Sequence, residues 1–189
     1  MIKDLIKRTR SYRRFHQNHR IEIDTLKELV DGARLSAAAA NLQPLKYILS
    51  NEREKNGKIF QNIAWAGYLK DWPGPTEGER PSAYIIVLGD RRITKSFGCD
   101  HGIASQSIML AAVEKGLGGC MIGAINRERL RKDLDIPEHF EILLVLALGK
   151  PKEKVVLEEV GQDGNIKYWR DREGVHHVPK RKLDDIIVG

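Results

Sequence analysis

The sequence predicts a layered α/β sandwich, α+β in class, built on a mixed sheet rather than on a doubly wound parallel one. Three observations carry that expectation. Apolar runs at 83–88 and 141–148, bounded by turn residues, have the length and composition of buried strands. Helical periodicity at 24–35 and 100–115 alternates with such runs. The alternation is irregular, because an aperiodic stretch at 65–81 interrupts the link between strands at 45–50 and 83–88.

Each element has a local reason. Asp24 is the expected N-cap of the first helix, and Leu26, Leu29, Val30 and Ala33 form its apolar face. Small residues at 36–40 lead into Asn41-Leu42-Gln43-Pro44, where Pro44 disfavours helix at Gln43. A short strand follows at 45–50, then a helix at 52–64. Trp72-Pro73-Gly74-Pro75 and Gly78 make a long irregular loop, the kind of segment that often acts as a lid. The helix at 100–115 has Asp100 as expected N-cap and Gly116 as C-cap. It is apolar around more than one face, through Ile103, Ala104, Ile108, Met109 and Leu110 to Val113. That pattern suits a core extended by a subunit interface. Residues 118–123 form a Gly-flanked strand or loop, 127–134 a short helix and 141–148 a central strand. Residues 152–189 are polar and too few to fold alone, so they are expected to wrap the body or a partner subunit.

Composition narrows the function classes. The 189 residues are 41% hydrophobic and 31% charged, which fits one globular domain spanning 1–189. No apolar run approaches the roughly 18–20 residues of a membrane span, and MIKDLIKRTR lacks a signal-peptide core. Cys99 and Cys120 read as reduced thiols, so a cytoplasmic protein without a membrane partner is expected. The balance of 32 Lys+Arg against 26 Asp+Glu leaves +6. Lys7, Arg8, Arg10, Arg13, Arg14 and Arg20 cluster near one end; Lys180, Arg181 and Lys182 cluster near the other. The two groups can meet around one anion, or stand as solvated faces.

Arg10-Ser11-Tyr12-Arg13 offers two guanidiniums and a hydroxyl, the donor set of a phosphate clamp. Gly116, Gly118, Gly119 and Gly123 do not spell G-x-G-x-x-G, and no P-loop occurs. His16, His19, His101, His176 and His177 lack acids or Cys at ligand spacing, so no metal is expected. Neither Cys has a nucleophile signature, and G-x-S-x-G is absent. A site without protein nucleophile or base points to a cofactor that supplies the chemistry.

Read together, these segments resemble the FMN-dependent nitroreductase family. Arg10-Ser11-Tyr12-Arg13-Arg14-Phe15 is similar to that family's R-S-x-R-x-F phosphate-binding element, and the 36–44 segment to its S-P-S-x-x-N-x-Q-P element. Asp100-His101-Gly102 through Gly116-Leu117-Gly118 resembles its long helix ending in G-L-G. Cys120-Met121-Ile122-Gly123 falls on its C-W-I-G segment, and 146–151 on its A-x-L-G-x-P strand. Val178-Pro179-Lys180-Arg181 sits where the family returns a basic residue to the phosphate. Thr9, Ala37-Ala38 and Met121 depart from the family pattern, the first shifting the clamp toward Lys180 and Arg181.

The resemblance implies a nitroreductase-like fold, an intertwined homodimer and FMN held between subunits. It implies ping-pong hydride transfer through flavin N5, from NADH or NADPH to a small acceptor such as a nitroaromatic or quinone. Arg10, Ser11, Arg13, Lys180 and Arg181 would neutralise the phosphate. Ala38, Asn41, Gln43, Met121, Ile122 and Gly123 would line the ring. Tyr68 and Trp72 would cover the open face and select the acceptor, or clasp their own loop. Two alternatives stay open: a flavin-binding or flavin-consuming protein without NAD(P)H turnover, and a basic nucleic-acid-binding module.

Overall fold

Strand β2 (Ala83–Asp90) is buried along its whole length, and the rest of the molecule is layered around it. The computed structural model describes residues 1–189. Side chains of a strand alternate between faces. Ala83, Ile85 and Val87 therefore meet Leu26 and Leu29 of α2 (Ile23–Arg34) and Ile108 and Met109 of α4 (Asp100–Glu114). Tyr84, Ile86 and Leu88 meet Ile59 of α3 (Arg53–Phe60) and Leu130 of α5 (Arg127–Asp133). Two helical layers thus enclose one sheet, the sandwich expected from the sequence.

The sheet runs in the order β1 (Leu45–Ser50), β2, β4 (Phe140–Gly149), β3 (Gly118–Ile122). Its three ladders are antiparallel. A parallel contribution comes from the chain start, where Ser11 bridges Gly119 on the free edge of β3. Gly118 and Gly149 allow that approach, because side-chain carbon at either position would press into the rings of Tyr12 or Phe15.

Local chemistry departs from expectation in several places. α2 begins at Ile23, so Asp24 lies in its first turn and pairs with Lys27 at 2.8 Å instead of capping. Cys99, not Asp100, is the N-cap of α4, because the Asp100 carboxylate is turned toward another segment. At the other end Gly116 adopts φ +73°, and the N–H of Leu117 donates to the Ala112 carbonyl, which closes a Schellman cap. α3 stops at Phe60, since the following residues leave to pair Ile63 with Ile125. A helix absent from the sequence reading, α1 (Ile2–Arg8), precedes the basic segment and buries no residue of its own.

Beyond Pro151 the chain forms a three-stranded sheet in the order β5 (Val155–Glu159), β7 (His176–Lys180), β6 (Trp169–Arg170). β5 and β7 are parallel. The sheet is anchored to the body by Glu153, whose buried carboxylate accepts from the backbone N–H groups of Arg13 and Arg14 and from Arg170 Nη2 at 3.0 Å. No helix is long and apolar enough to cross a membrane.

Candidate functional site

The two ends of the chain enclose a cavity of about 330 Å³. Thr9, Arg10, Ser11 and Arg13 form one wall; Tyr168, His176, Val178 and Lys180 form the opposite one. Gln106 and Met109 of α4 and Gly119 and Met121 of β3 close the floor. Arg10 and Arg13 of the first basic cluster and Lys180 of the second line this cavity together, whereas Arg181 and Lys182 stand exposed outside it. A second cavity, of about 220 Å³, adjoins it at Arg13 and Met121 and is lined by Trp65, Cys120, Ile122 and Gly123. Both are lined by residues of β3, whose outer edge is bridged by the chain start at Gly119, where the Tyr12 N–H donates to the Gly119 carbonyl at 2.9 Å.

Charge dominates the first cavity. Arg10 donates from Nη2 to the Ile6 carbonyl at 2.7 Å, while its Nε is buried without a partner. Burial pulls its pKa below the ordinary guanidinium value, against the opposing field of Tyr12. Arg13 is only 8% exposed and lies over the Tyr168 ring at 4.6 Å. Its Nη1 donates to the Ser11 carbonyl at 3.1 Å and meets His176 Nε2 at 3.0 Å. His176 is 1% exposed, and its Nδ1 is buried without a partner. Burial first, then Arg13, Arg170 and His177, bring its pKa down to about 4, so the ring is neutral at pH 7. The neighbouring Cys120 thiol is pushed up by burial and stays protonated.

Ala38 and Gln43 lie elsewhere, in a cleft of about 370 Å³ between α2, β1 and the start of α4. Asn41 is exposed on the same turn. That turn holds three non-glycine residues at positive φ: Ala40 at 49°, Asn41 at 54° and Gln43 at 51°. Left-handed backbone is costly for such residues and persists where the surroundings impose it. Here Asp100, 5% exposed, accepts the Ala39 N–H at 3.0 Å and ties the turn to α4. Within one chain, then, the predicted residues form two groups on different faces. Arg181 belongs to neither, standing exposed beyond the end of β7.

Tyr68 and Trp72 do not line the cavity themselves. The Tyr68 backbone N–H donates to the Tyr168 hydroxyl at 3.3 Å, and the two rings stand 4.9 Å apart. Arg170 lies over Trp72 at 4.7 Å. The 65–81 loop is thus clasped to the C-terminal sheet, and Tyr68 reaches the cavity only through Tyr168.

Sequence reasoning missed Gln106, Tyr168 and His176 as lining residues and Glu153 as the anchor. Gln106 carried a usable signal, as a lone amide inside the apolar stretch of α4. The others carried none, because their role depends on contacts across most of the chain.

The model of the nitroreductase family matches residues 6–150. A Methanothermobacter thermautotrophicus protein assigned as an NADH dehydrogenase/NAD(P)H nitroreductase is 30% identical, over 80% of this chain and 78% of its own length. Among solved structures, a nitroreductase family protein from Streptococcus pneumoniae superposes with a TM-score of 0.73 at 14% identity, covering 100% of both chains. An FMN-dependent nitroreductase from Clostridium difficile superposes with a TM-score of 0.65 at 22% identity, covering 79% of this chain and 87% of that one. The chain belongs to the nitroreductase family.

Proposed function

We propose that the chain is an FMN-dependent NAD(P)H oxidoreductase that acts as a homodimer. The observation that carries this reading is the cationic cavity along the β3 edge, where Arg10, Ser11 and Lys180 stand with the buried, unpartnered Arg10 Nε and His176 Nδ1. Unpartnered buried donors are costly, and an anionic phosphate relieves that cost. The donor set therefore fits FMN, with its phosphate against Arg10, Ser11 and Lys180 and its ring along Met121, Ile122 and Gly123. When bound, FMN supplies hydride exchange at N5, taken from NADH or NADPH in one half-reaction and given to a small acceptor in the other.

The chain's own part is to bind, orient and exclude water. Arg13 braces the Ser11 turn rather than reaching outward, since its Nη1 is engaged with Ser11 and His176. Tyr168, held by Tyr68, narrows the mouth. The separate turn carrying Ala38, Asn41 and Gln43 supports a dimer in which a second copy brings this turn to the cavity. Its left-handed residues and its tie to Asp100 preset its shape for such a task.

An anaerobic absorbance spectrum tests the proposal. Bands near ~450 nm that bleach with NADH or NADPH are expected. Bands that persist would favour flavin binding without turnover, and no bands after incubation with FMN would overturn the assignment.

A further inference from the structure

A larger cavity lies away from the site just described and shares no lining residue with it. It measures about 490 Å³ and opens between α3 and the segment leading into β2. That volume is in the range of small-molecule sites. Three residues of its lining each carry a buried polar atom without a partner: Arg80 Nε, Ser82 Oγ and Tyr84 Oη. Tyr84 belongs to β2, and Arg80 and Ser82 to the bends that lead into it. Tyr84 is 1% exposed, so its hydroxyl sits at the end of a fully enclosed side chain.

The surroundings select the ligand's charge. Arg20, Arg53 and Arg80 line the cavity with one carboxylate, Glu77, among the lining residues, and Arg20 also pairs with Glu22 at 3.2 Å. Glu77 is shared between Arg80 at 2.9 Å and Arg53 at 3.5 Å, and it also accepts from Gln17 at 2.9 Å. Arg80 lies over the Phe60 ring at 4.4 Å, which holds its guanidinium in place. Asn56 is already satisfied, accepting from Ser50 Oγ at 2.7 Å and donating to the Ser82 carbonyl at 2.9 Å. What remains unsatisfied are two hydroxyls and a guanidinium N–H, and an oxyanion accepts from all three. Phe60 and Pro81 supply the apolar part of the lining.

We propose that this cavity is a second binding site, for a small molecule bearing a carboxylate or phosphate, with Tyr84, Ser82 and Arg80 as its inner donors. The site is tested by thermal-shift titration of the purified protein with sodium phosphate and, separately, sodium benzoate, each against sodium chloride at constant ionic strength. A saturable rise in Tm with at least one of them is expected, and the one that acts identifies the head group. Phosphate can also enter the cavity of Arg10 and Lys180, so the titrations are repeated with R10A, Y84F and R80Q. The midpoint is expected to weaken roughly tenfold in Y84F and R80Q, the effect of losing a hydrogen bond to a charged group, and to be retained in R10A. Y84F removes only an unpartnered buried hydroxyl, so it melts no lower than the parent and separates binding from folding. No saturable shift with either anion, or an unchanged midpoint in both Y84F and R80Q, overturns the proposal and leaves the orphaned groups to buried water.

Discussion

Arg13 and His176, 163 residues apart in the chain, meet inside the molecule with Arg13 Nη1 donating to His176 Nε2 across 3.0 Å. Arginine can only donate, so the imidazole accepts at Nε2 and carries its proton on Nδ1. The contact therefore requires a neutral histidine.

A pH dependence follows. The unfolded chain binds a proton at His176 near the ordinary value of about 6.5, whereas the folded chain resists until about 4. Between those values the unfolded state holds more protons, so stability falls as pH falls. Thermal melts between pH 7 and pH 4 are expected to show a declining Tm, and H176Q to flatten that part of the slope. An equal slope in H176Q would assign the decline to other groups, such as Glu79, which Arg14 and Lys152 hold at about 2.

The adjacent histidine behaves in the opposite sense. His177 lies between Asp171, at 3.2 Å from Nε2, and Glu158 at Nδ1, and these carboxylates raise its pKa. Its stabilisation is present below the unfolded value of about 6.5 and is lost as pH rises through the raised folded value. Limited proteolysis of the 155–180 region is expected to accelerate from pH 6 to pH 9 in the parent protein more than in H177Q.

On the proposed function, side-chain placement orders the basic residues by their expected effect on FMN binding. R10A and K180A are each expected to weaken binding by about 1–3 kcal/mol, measured by flavin fluorescence titration. R13A is expected to act similarly, but with loss of Tm as well, because it also releases Ser11 and His176. R181A is expected to be near neutral. A loss equal to that of K180A would show that the chain beyond β7 folds back over the cavity.

Asp100 supports the strained 38–43 turn through one hydrogen bond. D100A is expected to cost about 1 kcal/mol of stability, because the part-buried hydrogen bond from the Ala39 N–H is lost. D100N keeps an acceptor oxygen and is expected to lose less. If dimerisation uses this turn, size-exclusion chromatography of D100A shows a shift toward monomer.

Much of the fold was legible because hydrophobic pattern and burial coincide. β2, β4 and α4 are apolar where they are covered, and the Gly116 cap was readable from the residue type alone. α1 was not legible, since a helix that buries nothing leaves no apolar periodicity in the sequence. The C-terminal sheet was also hidden, because its strands are short and its parallel pair, β5 with β7, is joined through distant register. At the site, Arg10, Ser11, Arg13 and Lys180 were identifiable by residue type, and they share one cavity. Tyr168 and His176 were not, for their position depends on where a polar tail docks.

The cavity walls come from opposite ends of the chain, with the folded core between them. Contacts that close such long loops are entropically the dearest and tend to form late. On the proposed function, the FMN cavity is therefore expected to open before the core does. Mild heat or denaturant would take cofactor affinity before it takes helix or sheet signal, so loss of activity would report docking of the tail rather than melting of the core.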